Sequence, residues 1–128
     1  MKKTFLLVLM ALFAIKSFAQ EAETQLDFSA VDSQKKAITL YEKGELFKIY
    51  MMPLEFGGDD DAVNTLYVPK FVQEFKTKVD KKIEDLLMDG QRLGFTAEPE
   101  YKGNSFVPSK LKILVTGDTE FTETIDIW

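Results

Sequence analysis

One segment of the chain, residues 69–90, carries its longest helical pattern and limits the folds that the rest can adopt. Its apolar residues recur at intervals of three and four, and they are Val72, Phe75, Val79, Ile83 and Leu86. This spacing places them on one face of an α-helix. The opposite face is charged and carries Lys70, Glu74, Lys78, Lys81, Lys82 and Asp85. We interpret the charged face as a solvated exterior, with a docking surface as the alternative.

The C-terminal third of the chain has the two-residue period of β-strands. Apolar side chains alternate with polar ones in three stretches, within residues 93–101, 110–116 and 121–127. Such alternation predicts strands with one buried and one solvated face. Gly117-Asp118 suits a tight turn between the second and third stretches.

Upstream of the helix, two apolar runs favour a β-hairpin. We predict strands at residues 37–42 and 45–52, joined at Lys43-Gly44, because β-branched and aromatic residues fill both runs. A helix over 37–42, ended by Gly44, is the alternative. The order β-β-α-β-β-β then predicts a two-layer α+β domain, in which an antiparallel sheet of about five strands packs on one long amphipathic helix.

The first twenty residues resemble a bacterial export signal. Two lysines precede an uninterrupted apolar run, residues 5–15. The segment Ser17-Phe18-Ala19 then places small side chains, those of Ser17 and Ala19, at the positions that a signal peptidase reads. A membrane-spanning helix needs about 20 apolar residues, so an uncleaved anchor is the less favoured interpretation. We predict cleavage after Ala19 and export to the periplasm or the medium. No cysteine follows the cleavage site, which argues against a lipid anchor on the mature chain.

Composition limits the partners of the mature chain. Without residues 1–19 it has 109 residues, which we divide into a flexible lead-in at 20–36 and one α+β domain at 37–128. Removing the three leader lysines leaves 13 basic and 21 acidic residues, a net charge of −8. This negative charge disfavours nucleic acid and anionic membranes as partners.

The residue types that are missing limit the chemistry. The chain has no histidine and no cysteine, which removes the common catalytic triads and zinc sites. A carboxylate pair drawn from Glu55, Glu98 and Glu100 could cleave a glycosidic bond, although the last two are expected on a solvated strand face. Adjacent strand residues such as Ser109-Lys110 point to opposite faces and make a poor Ser-Lys pair. We therefore expect no enzyme, and a glycan hydrolase is the least favoured alternative.

An acidic loop follows Gly57-Gly58 and consists of Asp59, Asp60 and Asp61. The spacing does not fit a calcium-binding EF-hand, because the fifth position counted from Asp59 is Val63. A looser calcium site made by Glu55, Asp59 and Asp61 is an alternative, in which calcium would stabilise a structural protein of the envelope. We otherwise expect no cofactor.

Two loops combine aromatic, amide and charged side chains, as protein-recognition loops do. The candidate partner-binding residues are Phe56, Asp59, Asp60, Asp61, Tyr67, Tyr101, Lys102, Asn104 and Phe106. For the aromatic residues, sealing an edge of the core is the alternative. The sequence thus favours a small exported domain that binds another protein, such as an inhibitor or immunity-type protein.

Overall fold

The computed structural model describes residues 26–128, so the predicted export signal at 1–19 lies outside the described residues. Two helices and five strands occupy this range. They are α1 (Gln34–Glu42), β1 (Phe47–Tyr50), β2 (Thr65–Val68), α2 (Lys70–Met88), β3 (Leu93–Glu100), β4 (Lys110–Gly117) and β5 (Phe121–Asp126). Short 3₁₀ turns at Leu54–Phe56 and Ala62–Asn64 lie between β1 and β2. Between residues 26 and 128, no helix has the length and apolar character that a membrane crossing requires.

The five strands form two antiparallel sheets. One sheet pairs β1 with β2, and the other has the order β3-β4-β5. The predicted class is confirmed, since five antiparallel strands and one long helix make an α+β domain, in the predicted order after α1. The strands form two sheets rather than the single sheet that we predicted, because side-chain packing, and no ladder of hydrogen bonds, joins β1 and β2 to the other three strands.

Helix α2 and both sheets share one hydrophobic core. The apolar stripe of the helix supplies Val72, Val79 and Ile83, each at most 4% exposed. The sheets supply Ile49, Leu66, Val68, Leu111, Ile113 and Val115. The inward residues of β4 alternate with outward ones, as predicted, because successive strand residues face opposite sides. Gly90 also ends α2 as predicted, with a φ of 83° just beyond the last turn.

Residues 37–42 form part of helix α1, so the prediction of a strand there was wrong. The Ser33 hydroxyl caps the helix by accepting a hydrogen bond from the backbone N–H of Lys36, at 3.1 Å. Gly44 follows the helix with a φ of 78°, whereas Lys43 has a φ of −80° and not the positive φ that the predicted hairpin turn requires at both of its central residues. Ala37 is buried, and Leu40, three residues later, packs beside it. Capping and this three-residue spacing outweigh the strand propensity of Ile38 and its neighbours.

Residues 65–68 take the place of the wrongly predicted first strand. The sequence prediction assigned no strand to these residues and so missed β2, whose residues Leu66 and Val68 alternate with Thr65 and Tyr67. Strand β2 pairs with β1, which is shorter than the predicted 45–52. With only four residues, the alternation of apolar and polar side chains in β2 is too short to distinguish a strand from a loop in the sequence.

The described part of the predicted lead-in packs against the domain. Val31 is 7% exposed, and its carbonyl accepts a 2.7 Å hydrogen bond from the backbone N–H of Phe106. The Phe28 carbonyl accepts a 2.7 Å hydrogen bond from the Ser105 hydroxyl. These contacts border a second core cluster, made of Val31, Ala37, Leu46 and Val107. The packed domain therefore reaches back at least to Phe28 rather than beginning at Ala37.

Candidate functional site

A groove of about 350 Å³ opens along β2. Helix α1 forms one wall, and the loop between β3 and β4 contributes to another. Three predicted partner-binding residues, Tyr67, Tyr101 and Phe106, line the groove together, although they are separated by up to 39 positions in the sequence. All eleven lining residues are uncharged. The fold thus joins parts of the two candidate recognition loops into one uncharged surface.

Apolar side chains at this groove are unusually exposed. Val63 is 83% exposed, Tyr101 48% and Phe106 45%. Single exposed apolar residues are ordinary, but neighbouring ones around a concavity are typical of interaction sites. Partial burial raises the pKa of Tyr101 above its ordinary value of 10.0. The phenol is protonated at physiological pH and can donate a hydrogen bond.

A fourth aromatic residue, Tyr41, extends this surface past Tyr67. The ring of Tyr41, at the end of α1, packs on the Tyr67 ring with centroids 5.5 Å apart. The Lys48 ammonium lies 5.4 Å from the centroid of the Tyr41 ring, within the range of cation–π contacts. Tyr41 is 39% exposed and was not among the predicted partner-binding residues. Tyr41 reaches the surface because residues 37–42 are helical, whereas we had predicted a strand there.

The acidic loop is clamped by one side chain, that of Asn64. The side-chain oxygen Oδ1 of Asn64 accepts a 2.8 Å hydrogen bond from the backbone N–H of Met52. The Asn64 amide nitrogen donates to the carbonyl oxygens of Met52 and Asp59, both at 2.9 Å. The clamp closes the loop on itself. Asp59, Asp60 and Asp61 are therefore held beside the Ala62–Asn64 turn, which leads directly into the groove.

Two of the three aspartates also make hydrogen bonds within the loop region. The Asp60 carboxylate accepts a 2.8 Å hydrogen bond from the Tyr50 hydroxyl, and this bond raises the pKa of Tyr50. The Asp61 carboxylate caps the 3₁₀ turn by accepting from the backbone N–H of Asn64, at 3.0 Å. The carbonyl oxygen of an asparagine side chain could accept both bonds, although more weakly than a carboxylate does. Replacing the aspartates by asparagine would therefore remove the negative charges while leaving acceptors for these hydrogen bonds.

The predicted calcium ligands Glu55, Asp59 and Asp61 are all exposed. Within residues 26–128, no three acidic side chains are grouped closely enough to hold a metal ion. The Asp61 carboxylate is engaged as a turn cap. The calcium alternative stays a prediction.

Three predicted partner-binding residues lie away from the groove lining. Phe56 is half-buried and packs against the main core, as the alternative interpretation allowed. The Lys102 ammonium lies 5.1 Å from the ring centroid of Trp128. Asn104 is exposed in the turn that precedes Ser105.

The residues considered for catalysis lie in ordinary structural settings. Glu98 and Glu100 are exposed on β3, directly across the ladder from Lys112 and Lys110. The Ser109 hydroxyl donates a 3.2 Å hydrogen bond to the carbonyl oxygen of Glu100, while the Lys110 ammonium lies 3.6 Å from the Asp126 carboxylate. The structure does not join Ser109 and Lys110 into a pair.

A second cleft, of about 230 Å³, contains a buried charge that the sequence reading missed. Its lining includes Glu55, Lys76 and Asp80. Lys76 is 2% exposed, and its ammonium donates a 2.6 Å hydrogen bond to the Asp80 carboxylate. Burial lowers the pKa of Lys76 and raises the pKa of Asp80. Lys76 lies four residues after Val72, on the apolar stripe of α2. This spacing in the sequence could have predicted that Lys76 is buried.

No family model matches the chain, and no curated protein is significantly similar to it.

Proposed function

We propose that the chain is a small exported binding domain that acts through protein–protein interaction. The observation that carries the proposal is the groove beside β2, where exposed Val63, Tyr101 and Phe106 surround an uncharged concavity. Aromatic anchors around a concave, desolvated centre dominate the energetics of protein interfaces. Export is proposed from the signal-like sequence at residues 1–19.

The acidic loop supports the same proposal through electrostatics. Three exposed carboxylates stand directly before the turn that lines the groove, and the Asn64 clamp keeps them in place. Fixed charge beside an apolar patch accelerates and orients the encounter with a partner of opposite charge. The surface thus combines an apolar centre with a charged rim.

The test is affinity capture with the mature protein from envelope extract and culture medium of the source organism, with mass spectrometry of what is retained. Two variants run in parallel. Val63→Ser removes an apolar contact from a side chain that is 83% exposed, so folding should be unaffected. The triple variant Asp59→Asn, Asp60→Asn, Asp61→Asn removes three charges and can retain the loop's hydrogen bonds. We expect one stoichiometric protein whose binding weakens roughly tenfold with Val63→Ser.

Matched controls separate the site from general surface effects. Met88→Ser changes an equally exposed apolar residue, 81% exposed at the end of α2, outside the groove. The combined control Glu74→Gln, Glu84→Gln, Asp89→Asn removes the same number of charges from exposed positions on α2 and at the residue that follows it. Both controls should bind as the unmodified protein does. Equal binding by all variants would remove the groove and the acidic loop from the interface, and an empty capture would contradict the proposal.

An inhibitor or immunity-type protein would be one form of this function. If the captured protein is an enzyme, its activity measured with and without the purified chain decides between inhibition and simple association. Calcium addition during a thermal melt tests the alternative of a calcium-stabilised envelope protein. A rise in melting temperature at millimolar calcium, following mass action, would favour that alternative.

A further inference from the structure

Strand β2 has a free outer edge. The backbone N–H of Met51 donates to the Asn64 carbonyl at 2.9 Å, which continues the β1–β2 ladder by one pair. Hydrogen-bonded pairs alternate in an antiparallel ladder, so Leu66 and Val68 direct their backbone groups toward β1, and Tyr67 directs its groups away. Outside the β1–β2 ladder, no backbone hydrogen bond joins Tyr67 to another residue in the range 26–128. Tyr67 therefore offers one donor and one acceptor at this edge.

The groove lies at this same edge. Three consecutive residues of β2, Thr65, Leu66 and Tyr67, line it. Successive side chains of a strand point to opposite faces, so a cavity that touches all three must run alongside the strand rather than over one face. The outward backbone groups of Tyr67 therefore belong to the wall of an apolar groove.

Charge is concentrated near one end of this strand. The acidic loop leads into the N-terminal end of β2 through the Ala62–Asn64 turn, and its Asp60 carboxylate accepts a hydrogen bond from Tyr50 at the end of β1. The groove itself has no charged lining residue. An occupant that complements both parts must be apolar along β2 and cationic beside the loop.

We propose that the groove binds an extended segment of the partner protein, which adds as a strand to the edge of β2. The segment presents apolar side chains at alternate positions, and lysine or arginine at the end that meets Asp59, Asp60 and Asp61. Backbone hydrogen bonds to Tyr67 hold the segment, the groove binds its apolar side chains, and the acidic loop fixes its direction. This inference rests on the proposed function and states its mode of recognition.

The probe is a phage-displayed library of random linear 12-residue peptides, selected against the purified protein produced from the full precursor. We expect selected peptides to combine alternate apolar residues with a terminal lysine or arginine cluster. Each is then synthesised with single backbone N-methyl groups. Because a strand uses every second N–H at one edge, methylation at one parity should reduce binding at least tenfold, and methylation at the other parity should not.

Hydrogen exchange locates the binding edge. In the free protein the Tyr67 amide should exchange faster than the amides of Leu66 and Val68, and bound peptide should slow it at least tenfold. Tyr67→Pro and Tyr67→Ala both lose the ring, but the proline variant alone loses the N–H, so it should bind more weakly than the alanine variant. The triple Asp-to-Asn variant should lose affinity for the cationic peptides and the salt dependence of their binding.

Three results would overturn the inference: no selected peptide, binding that tolerates N-methylation at both parities, or an unprotected Tyr67 amide in the complex. Selected peptides without lysine or arginine would overturn the cationic part. Val63-dependent capture of a folded partner would still stand in each of these cases, so the failure of strand addition is distinguishable from the failure of the proposed function.

Discussion

At the scale of single residues, Lys76 is the most consequential side chain outside the groove. It is the one buried charged residue in the described part of the chain, and its ammonium lies 2.6 Å from the Asp80 carboxylate and 5.6 Å from the ring centroid of Phe95. The two partners differ in exposure, because the Lys76 side chain is 3% exposed and the Asp80 side chain 27%. Removing one partner therefore has a different consequence from removing the other.

Asp80→Ala should destabilise the protein more than Lys76→Met does. The first variant leaves a buried ammonium without its counter-charge, which costs about 3 kcal/mol of unfolding free energy. The second keeps the length of the side chain and leaves a carboxylate that water can reach, and we expect a loss of about 1 kcal/mol. Urea unfolding at neutral pH measures both. A larger loss for Lys76→Met would contradict this account of the pair.

The Lys76→Met variant should also change how stability depends on pH. Burial raises the pKa of Asp80 above its ordinary 3.8, while the Lys76 hydrogen bond and charge oppose the rise. Removing Lys76 raises the pKa further. A carboxyl group whose folded pKa exceeds its unfolded pKa gains stability as pH falls through the folded pKa. Relative to the unmodified protein, the variant should thus gain stability as the pH falls from neutral toward the ordinary Asp pKa of 3.8. A constant difference over that range would refute the prediction.

At the scale of elements, the loop between β1 and β2 depends on two glycines for different reasons. Gly57 has a φ of 98° with open space around its α-carbon, whereas a β-carbon on Gly58 would overlap the Met52 carbonyl oxygen. We expect Gly57→Ala to cost about 1 kcal/mol through backbone strain. Gly58→Ala should cost about 3 kcal/mol, because it displaces the Asn64 clamp. Thermal unfolding of the two variants checks this order, and equal losses would show that the clamp is dispensable.

Elements also differ in how well the sequence predicts them. The five apolar positions of α2 and the alternation in β3 and β4 span two or more periods, and so their structure was predicted correctly. The segment at 37–42 is too short to repeat a helical apolar spacing, and its residues have conflicting propensities. The Ser33 cap and the packing of Ala37 therefore decide that it is helical. The four residues of β2 carry too little pattern to predict their pairing with β1.

At the scale of the whole molecule, Trp128 connects the two core clusters, since it packs against both. Its ring meets Phe28 edge-on at a centroid distance of 5.9 Å, and its indole N–H donates to the Val107 carbonyl at 3.1 Å. Trp128→Phe removes this hydrogen bond and should cost about 1 kcal/mol. Trp128→Ala also removes the packing and should cost about 3 kcal/mol.

Denaturant unfolding followed by circular dichroism measures both Trp128 variants. Hydrogen exchange should show faster exchange around Val31 and around β4 together in Trp128→Ala, because the side chain couples the clusters. Faster exchange in one cluster alone would show that they are independent.

The sequence by itself determined the class of the fold, the long helix, the three C-terminal strands and the absence of histidine and cysteine side chains. Those features depend on residue types and on periodicity within continuous segments, which are local properties. The tertiary structure alone decided that 37–42 is helical, that β2 pairs with β1, that Lys76 is buried against Asp80, and that Tyr67, Tyr101 and Phe106 share one groove. These features depend on contacts between segments that are distant in the sequence. Tertiary packing determines those contacts, because the local preferences of each short segment are too weak to determine them.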